Sequence, residues 1–580
     1  MRFHLRRPAV GLGAIVLAVF ALIGSPSVAG AHPAPAVTAA GSISWSDCGN
    51  GFQCGKLTVP IDYQNPNGAK IDLALQRLPA RNPSSRIGSL LVNPGGPGGS
   101  AIDFLRSWGQ AVSRNIRDRF DLVAFDPRGV GQSAPIVCHD TLQALVAVDP
   151  TPDTPQEWQQ ADDAAKKFDG DCQKKYASFL PFVGTKNVAR DMESVRLALG
   201  EDKLTYVGYS YGTEIGQVYA DMYPDRVRAF VLDGAIDVSL GFQESSRLQM
   251  VGFERAFQSY LADCRQKQCG LAKNGDPEQA VDALLAKVDQ KPLPAAGADR
   301  PAGPGETLLG IIAALYSKFT WTQLTNALLQ AINNGDGTQL VNLADEYLER
   351  RPDGSYPNLI EANLAVNYVD QVCPKDPKVY EQLAVEWAKS SPHFGASAAS
   401  SGVTCAFWQA KPDPVTVPKA HGAPPIVVIS TTNDPATPYE EGVALSKQLE
   451  SGRLLIHRGE GHAVYVLGGD QCIDTAVNNY LLNLAAPESG TTCGNGPPPP
   501  ESAASPSPTS AGASRTPDAS PTGTPVPGAT ATQHAPGPPN TGNGHANGTA
   551  RVAAVMLAFV VVAAALAGVA VGLQRTRNQD

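Results

Sequence analysis

Residues 204–212 read Leu-Thr-Tyr-Val-Gly-Tyr-Ser-Tyr-Gly, an apolar run that passes into Gly208-x-Ser210-x-Gly212 and then into a helix-forming stretch over 213–222. Gly-x-Ser-x-Gly alone arises often by chance. Set between a strand and a helix, it describes a sharp turn that exposes the serine hydroxyl, with the helix N-terminus adding a favourable dipole. A serine hydroxyl is a weak nucleophile, so it needs a base, and the base needs an acid to orient it. On a turn of this kind the acid and the base follow the serine in that order along the chain. Asp434, just past the apolar run 426–429, and His462, just past 454–456, meet the requirement. Both would stand at the carboxyl ends of strands, where open α/β sheets place their sites. The rivals are poorer. His457 falls on a strand, and His139, His393 and His421 follow no suitable strand. Asp233, after 229–232, is an alternative acid, and Glu460 is too near His462 in sequence to be its natural partner.

Attack by serine on a carbonyl creates an oxyanion that needs backbone donors. One is the N–H after the nucleophile, here Tyr211. The other comes from a glycine-rich loop after an early strand, and Asn93-Pro-Gly-Gly-Pro-Gly-Gly99 fits it, with Gly96 the favoured donor. The chemistry is acyl transfer and calls for no metal and no organic cofactor. There is no Cys-x-x-Cys and no Cys/His spacing suited to zinc.

Positioning these residues takes a sheet. Short apolar runs at 89–93, 122–125, 204–209, 229–232, 426–429 and 454–456 predict buried strands, separated by amphipathic stretches, which is the pattern of a mostly parallel α/β sheet. The rhythm breaks over 241–420, where 307–316 and 340–348 predict helices between Gly- and Pro-rich loops. We read this as a helical cap inserted between core parts 42–240 and 421–495. A separate domain is the alternative, but the sheet pattern resumes afterwards and supplies residues that the site needs.

At 580 residues the chain has room for a large core plus attachments. A net charge of -9 carries no basic footprint, which argues against a nucleic-acid partner. Arg2, Arg6 and Arg7 precede an apolar stretch, and Ala29-Gly30-Ala31 follows as a cleavage site, so 1–31 is expected to be a signal peptide, with an uncleaved anchor as the alternative. Export suits ten cysteines. Neighbours in sequence suggest the pairs Cys48–Cys54, Cys138–Cys172, Cys264–Cys269, Cys373–Cys405 and Cys472–Cys493, although sequence alone does not fix connectivity. Residues 496–551, rich in Pro, Ser and Thr, are expected to form a stalk. The apolar run 552–573 has the length of a membrane span, and the basic tail 574–580 should stay cytoplasmic. Pro538-Pro-Asn-Thr-Gly542 is similar to a sortase signal with proline in place of leucine. The expectation is a catalytic part outside the cell, held by its C-terminus to membrane or wall.

Four motifs in order, Asn93-Pro-Gly-Gly-Pro-Gly-Gly-Ser, Asp126-Pro-Arg-Gly-Val-Gly-Gln-Ser, Gly208-Tyr-Ser-Tyr-Gly-Thr and Thr432-Asn-Asp-Pro-Ala-Thr-Pro, resemble the tripeptidyl aminopeptidase branch of the prolyl-aminopeptidase-related α/β-hydrolases over about residues 42–485. The resemblance implies the α/β-hydrolase fold and removal of short peptides, often tripeptides, from peptide or protein substrates with free N-termini. It also implies an acidic group in the cap for the substrate ammonium; Glu361 and Asp370, before Cys373, are the candidates. Two other readings stay open. One is an ester hydrolase or acyltransferase with the same residues; the other is an idle surface-binding protein on the same scaffold.

Overall fold

Along the central strands, successive side chains enter different cores. Leu91, Val123, Tyr206, Phe230, Leu232, Ile426 and Val428 belong to one buried cluster. Their neighbours Leu90, Val92, Leu122, Val207, Val231, Val427 and Ile429 belong to another. A strand with both faces covered has this two-residue alternation and an unbroken apolar sequence. The computed structural model describes residues 41–138 and 143–500.

Ten strands form one sheet in the order β1-β2-β3-β5-β4-β6-β7-β8-β9-β10. They are β1 (Ser46–Asp47), β2 (Gln53–Pro60), β3 (Lys70–Leu78), β4 (Gly88–Asn93), β5 (Phe120–Phe125), β6 (Leu204–Tyr209), β7 (Val227–Asp233), β8 (Ile426–Asn433), β9 (Gly452–Glu460) and β10 (Thr491–Cys493). β1 to β3 and the β3–β5 pair are antiparallel, and every other pairing is parallel. The six strands expected from the sequence fall within β4 to β9. The antiparallel β1 to β3 were not foreseen: β2 mixes buried Leu57 and Val59 with exposed positions and carries glycine and lysine. β10, three residues long, is joined through the Cys472–Cys493 disulfide to the helix Gln471–Asn483.

Between β7 and β8 the chain forms helices, from Phe242–Lys267 to Gly395–Phe407. Much of this insertion has a core of its own, in which Phe253, Phe257, Leu261, Ile311, Leu324 and Leu328 are buried together. The helices expected over 307–316 and 340–348 are Pro304–Leu315 and Thr338–Tyr347. All five suggested disulfides are formed.

The expected signal segment 1–31, the apolar run 552–573, the tail 574–580, all of the stalk beyond residue 500 and His139 lie outside the described residues. Among the described residues no helix is long and apolar enough to cross a membrane.

Candidate active site

β6 ends at Tyr209 and the helix Tyr211–Met222 begins one residue after Ser210. Ser210 itself has φ 53° and ψ −126°. A side-chain-bearing residue at such angles costs about 1–3 kcal/mol and persists only where its surroundings over-determine it. Here they do. Ser210 N donates to Asp233 O at 2.9 Å, while Thr213 N and Thr213 Oγ1 donate to Ser210 O at 2.7 and 2.6 Å. Gly208 is required because any Cβ there would collide with Gly212 O.

Asp434 follows β8 directly, and its carboxylate is fixed by its own turn. It accepts from Ala436 N and Thr437 N at 2.9 Å each and from Thr437 Oγ1 at 3.1 Å. His462 Nδ1 lies 2.9 and 3.0 Å from the two Asp434 oxygens. That partner holds the proton on Nδ1 and leaves Nε2 unprotonated, as a general base must be. Burial alone would lower the His462 pKa. The charge of Asp434 and its hydrogen bond, with Asp233 adding, outweigh burial and raise it above the ordinary histidine value. From the cap, Tyr316 O accepts His462 N at 2.8 Å, and the Tyr316 ring meets the imidazole edge-on at 5.6 Å.

The pair lies against the end of β7, the strand that also binds the Ser210 backbone. The residue after the serine's backbone partner Asp233 is Gly234, and a Cβ on Gly234 would lie 2.8 Å from His462 Cε1. Among the described residues no hydrogen bond joins Ser210 to His462; such bonds commonly tighten only when substrate is bound.

The alternative residues have other employment. Asp233 Oδ2 accepts Val464 N and Tyr465 N at 2.9 and 2.7 Å, which ties down the loop after His462. Burial, opposed by these bonds, pushes the Asp233 carboxyl up to about 7. Thr431 Oγ1 and His457 Nδ1 are 3.2 Å apart, and Glu460 is bound by Asn433. His393 sits in the cap between Glu254 and Asp282.

The glycine-rich loop lies against the serine turn. Gly95 has φ +96°, and a Cβ there would fall 2.8 Å from Ser210 Cβ and 2.9 Å from Tyr211 N. Gly95 N donates to Asn93 Oδ1 and Gly99 N to Gly95 O. Among the described hydrogen bonds none engages Gly96 N or Tyr211 N. The loop thus packs through Gly95 against the turn that carries Ser210 and Tyr211.

The two cap acids differ. Glu361 is buried in the first turn of the helix Leu359–Asp370, two residues before Asn363, whose Nδ2 donates to Pro97 O at 3.1 Å. Asp370 is otherwise engaged. Thr185 N donates to its oxygens at 2.9 and 3.0 Å and Thr185 Oγ1 at 2.7 Å, so it caps the start of the helix Thr185–Leu199. Both of its oxygens are thus occupied by Thr185. Sequence reasoning also missed Thr437, Tyr316 and Thr185. Thr437 sits in a quoted motif, where an acid followed by a threonine three residues on signals a self-bonded turn. Tyr316 and Thr185 carry no local signal.

The family described as alpha/beta hydrolase fold matches residues 88–272, and that described as TAP-like protein matches 391–493. The chain is 39% identical to "Serine protease Hip1" of Mycobacterium tuberculosis over 511 residues, 83% of this chain and 96% of that protein. The chain belongs to the TAP-like branch of the α/β hydrolases. This TAP-like chain is also 38% identical to "Carboxylesterase B" of Mycobacterium tuberculosis, over 83% of its length and 96% of the other's. To "Tripeptidyl aminopeptidase" of Streptomyces coelicolor it is 33% identical, over 80% of this chain and 88% of that one. It is a serine hydrolase with the α/β-hydrolase fold.

Proposed function

We propose that this TAP-like hydrolase is an exported serine exopeptidase that releases short peptides, tripeptides foremost, from free N-termini. The observation that carries the reading is Ser210 on its strained turn with the glycine-rich loop packed against it through Gly95, and the His462–Asp434 pair against Gly234. His462 Nε2 takes the Ser210 proton as Oγ bonds to the scissile carbonyl carbon, and the carbonyl electron pair moves onto oxygen, held by Gly96 N–H and Tyr211 N–H. The C–N bond breaks as His462 returns the proton to the leaving amine. Water, deprotonated by His462, then releases the peptide acid and restores Ser210. Asp434 holds the imidazole and stabilises its charged form.

Glu361 is the candidate for the substrate ammonium, because its helix lies on the loop that carries Gly96. Relatives named as a tripeptidyl aminopeptidase and a serine protease support peptide cleavage. Five disulfides support an oxidising compartment outside the cytoplasm. Attachment there through residues 552–573 is part of the same proposal.

A second reading, an ester hydrolase, has one specific support, the 38% identity to a protein named Carboxylesterase B. The test compares tripeptidyl reporters with free and acetylated N-termini and a short-chain ester, with Ser210→Ala as blank. Cleavage of the free-amine peptide alone, weakened by Glu361→Gln through KM, supports the exopeptidase. Cleavage of the ester with both peptides ignored overturns it.

A further inference from the structure

The helix Leu359–Asp370 touches the supports of both oxyanion donors. At its start it lies on the glycine-rich loop: a Cβ on Gly98 would collide with Leu359 O, and Asn363 Nδ2 donates to Pro97 O at 3.1 Å. The residue before the helix, Asn358, donates to Gly129 O at 2.7 Å and accepts from Gly131 N at 3.0 Å. Asp126 of that same Asp-Pro-Arg-Gly segment accepts from Ser100 Oγ and Ile102 N, so the glycine-rich loop is gripped from its far end too. At the end of the helix, Asp370 accepts from Thr185 Oγ1, which is in turn 2.7 Å from the Tyr211 hydroxyl. All of Asp370, Thr185 and Tyr211 are buried. With Thr185 donating to the carboxylate, the Tyr211 hydroxyl must donate to Thr185, a chain in which each bond strengthens the next.

We propose that this one cap helix sets both oxyanion donors at once, with Asn363 positioning the Gly96 loop and Asp370, through Thr185, positioning Tyr211. The inference rests on the reading of Gly96 N–H and Tyr211 N–H as those donors. None of the three side chains need touch substrate; they are positioning residues. The two arms act on different donors, so losses from breaking them should multiply.

The test uses the full-length protein with the peptide reporter and the short-chain ester, since both pass through the same oxyanion. Thr185→Val keeps shape and removes the relay; Tyr211→Phe keeps the backbone N–H and removes only the hydroxyl; Asn363→Ala breaks the other arm. Each is expected to lower kcat ~10-fold, less than the ~100- to 1,000-fold cost of deleting a donor outright, with KM within about twofold. Binding of a peptide aldehyde, which mimics the tetrahedral oxyanion, should weaken by the same factor as kcat/KM. Thr185→Ser should restore kcat. If Thr185→Val fails to fold, Tyr211→Phe decides that arm. Folded variants with unchanged kcat, or a loss confined to KM, overturn the inference while the reading beneath it stands. Turnover by Ser210→Ala overturns the underlying reading and the inference with it.

Discussion

The carboxylate of Asp233 accepts the backbone N–H of Tyr465 at 2.7 Å, although the two residues lie on either side of the whole cap in sequence. Asp233 O also accepts Ser210 N, so one residue holds the nucleophile through its main chain and the histidine loop through its side chain. Burial raises its carboxyl to about 7. A buried acid with a raised value binds its proton more tightly folded than unfolded, so its ionisation subtracts stability as pH climbs from about 4 to about 7. Asp233→Asn should flatten the fall of the thermal midpoint across that window, measured by calorimetry at several pH values. Because a single oxygen, Oδ2, accepts both loop N–H groups, an amide carbonyl in its place keeps both bonds, and kcat should change little.

His462 must be neutral to act as a base, and its pKa is raised because Asp434 outweighs the effect of burial. Activity is therefore expected to fall as pH drops, with the acid limb of kcat/KM lying above 6.5. Asp434→Asn removes the charge and the tautomer control together, and a loss in kcat of order 10⁴ is expected with the fold intact. Pre-steady-state acylation across pH checks both.

Gly95 sits where a side chain has nowhere to go. A Cβ there would come within 2.5 Å of Tyr209 O and 2.9 Å of Tyr211 N, at a φ of +96° that disfavours any L residue. Gly95→Ala should displace the oxyanion loop and cost at least ~100-fold in kcat, about what loss of one donor costs. Titration with a serine-directed fluorophosphonate against the thermal midpoint separates a disarmed site from an unfolded one.

In the cap, His393 Nδ1 lies 2.8 Å from Glu254 and Nε2 3.1 Å from Asp282. Burial would lower its pKa, but the two carboxylates raise it. The protonated ring stabilises the folded cap below the unfolded histidine value, near 6.5, and that contribution is lost as pH rises through the folded value. The stability gap between the wild type and His393→Gln should be widest in mild acid and narrow toward alkaline pH, as read by chemical unfolding.

The strands that carry the candidate residues were legible because each holds a compact, largely apolar run. Runs ending near Tyr209, Ile429 and Ile456 announce β6, β8 and β9, and the chemistry-bearing residues stand just beyond them. Strands toward the two ends of the sheet were illegible for the complementary reason: β2 alternates buried and exposed positions, and β10 is three residues long. Asp370 was read as an acid in a cap, which it is, but its partner Thr185 lies far away along the chain and only the folded contact shows what it holds. Tyr316 is hidden likewise, since its contribution to His462 is a main-chain carbonyl that any residue possesses.

The cap divides the chain into two chemically unequal parts. Everything before it contains Ser210 and the glycine-rich loop; Asp434 and His462 come only after it. By the proposed mechanism, an N-terminal fragment that ends anywhere within the cap, whether from interrupted synthesis or from proteolysis, carries Ser210 without its proton acceptor and is expected to be inert. On the proposed mechanism, hydrolytic competence switches on only when β8 and β9 have joined the sheet, so incomplete copies pose no hazard to the cell that makes them.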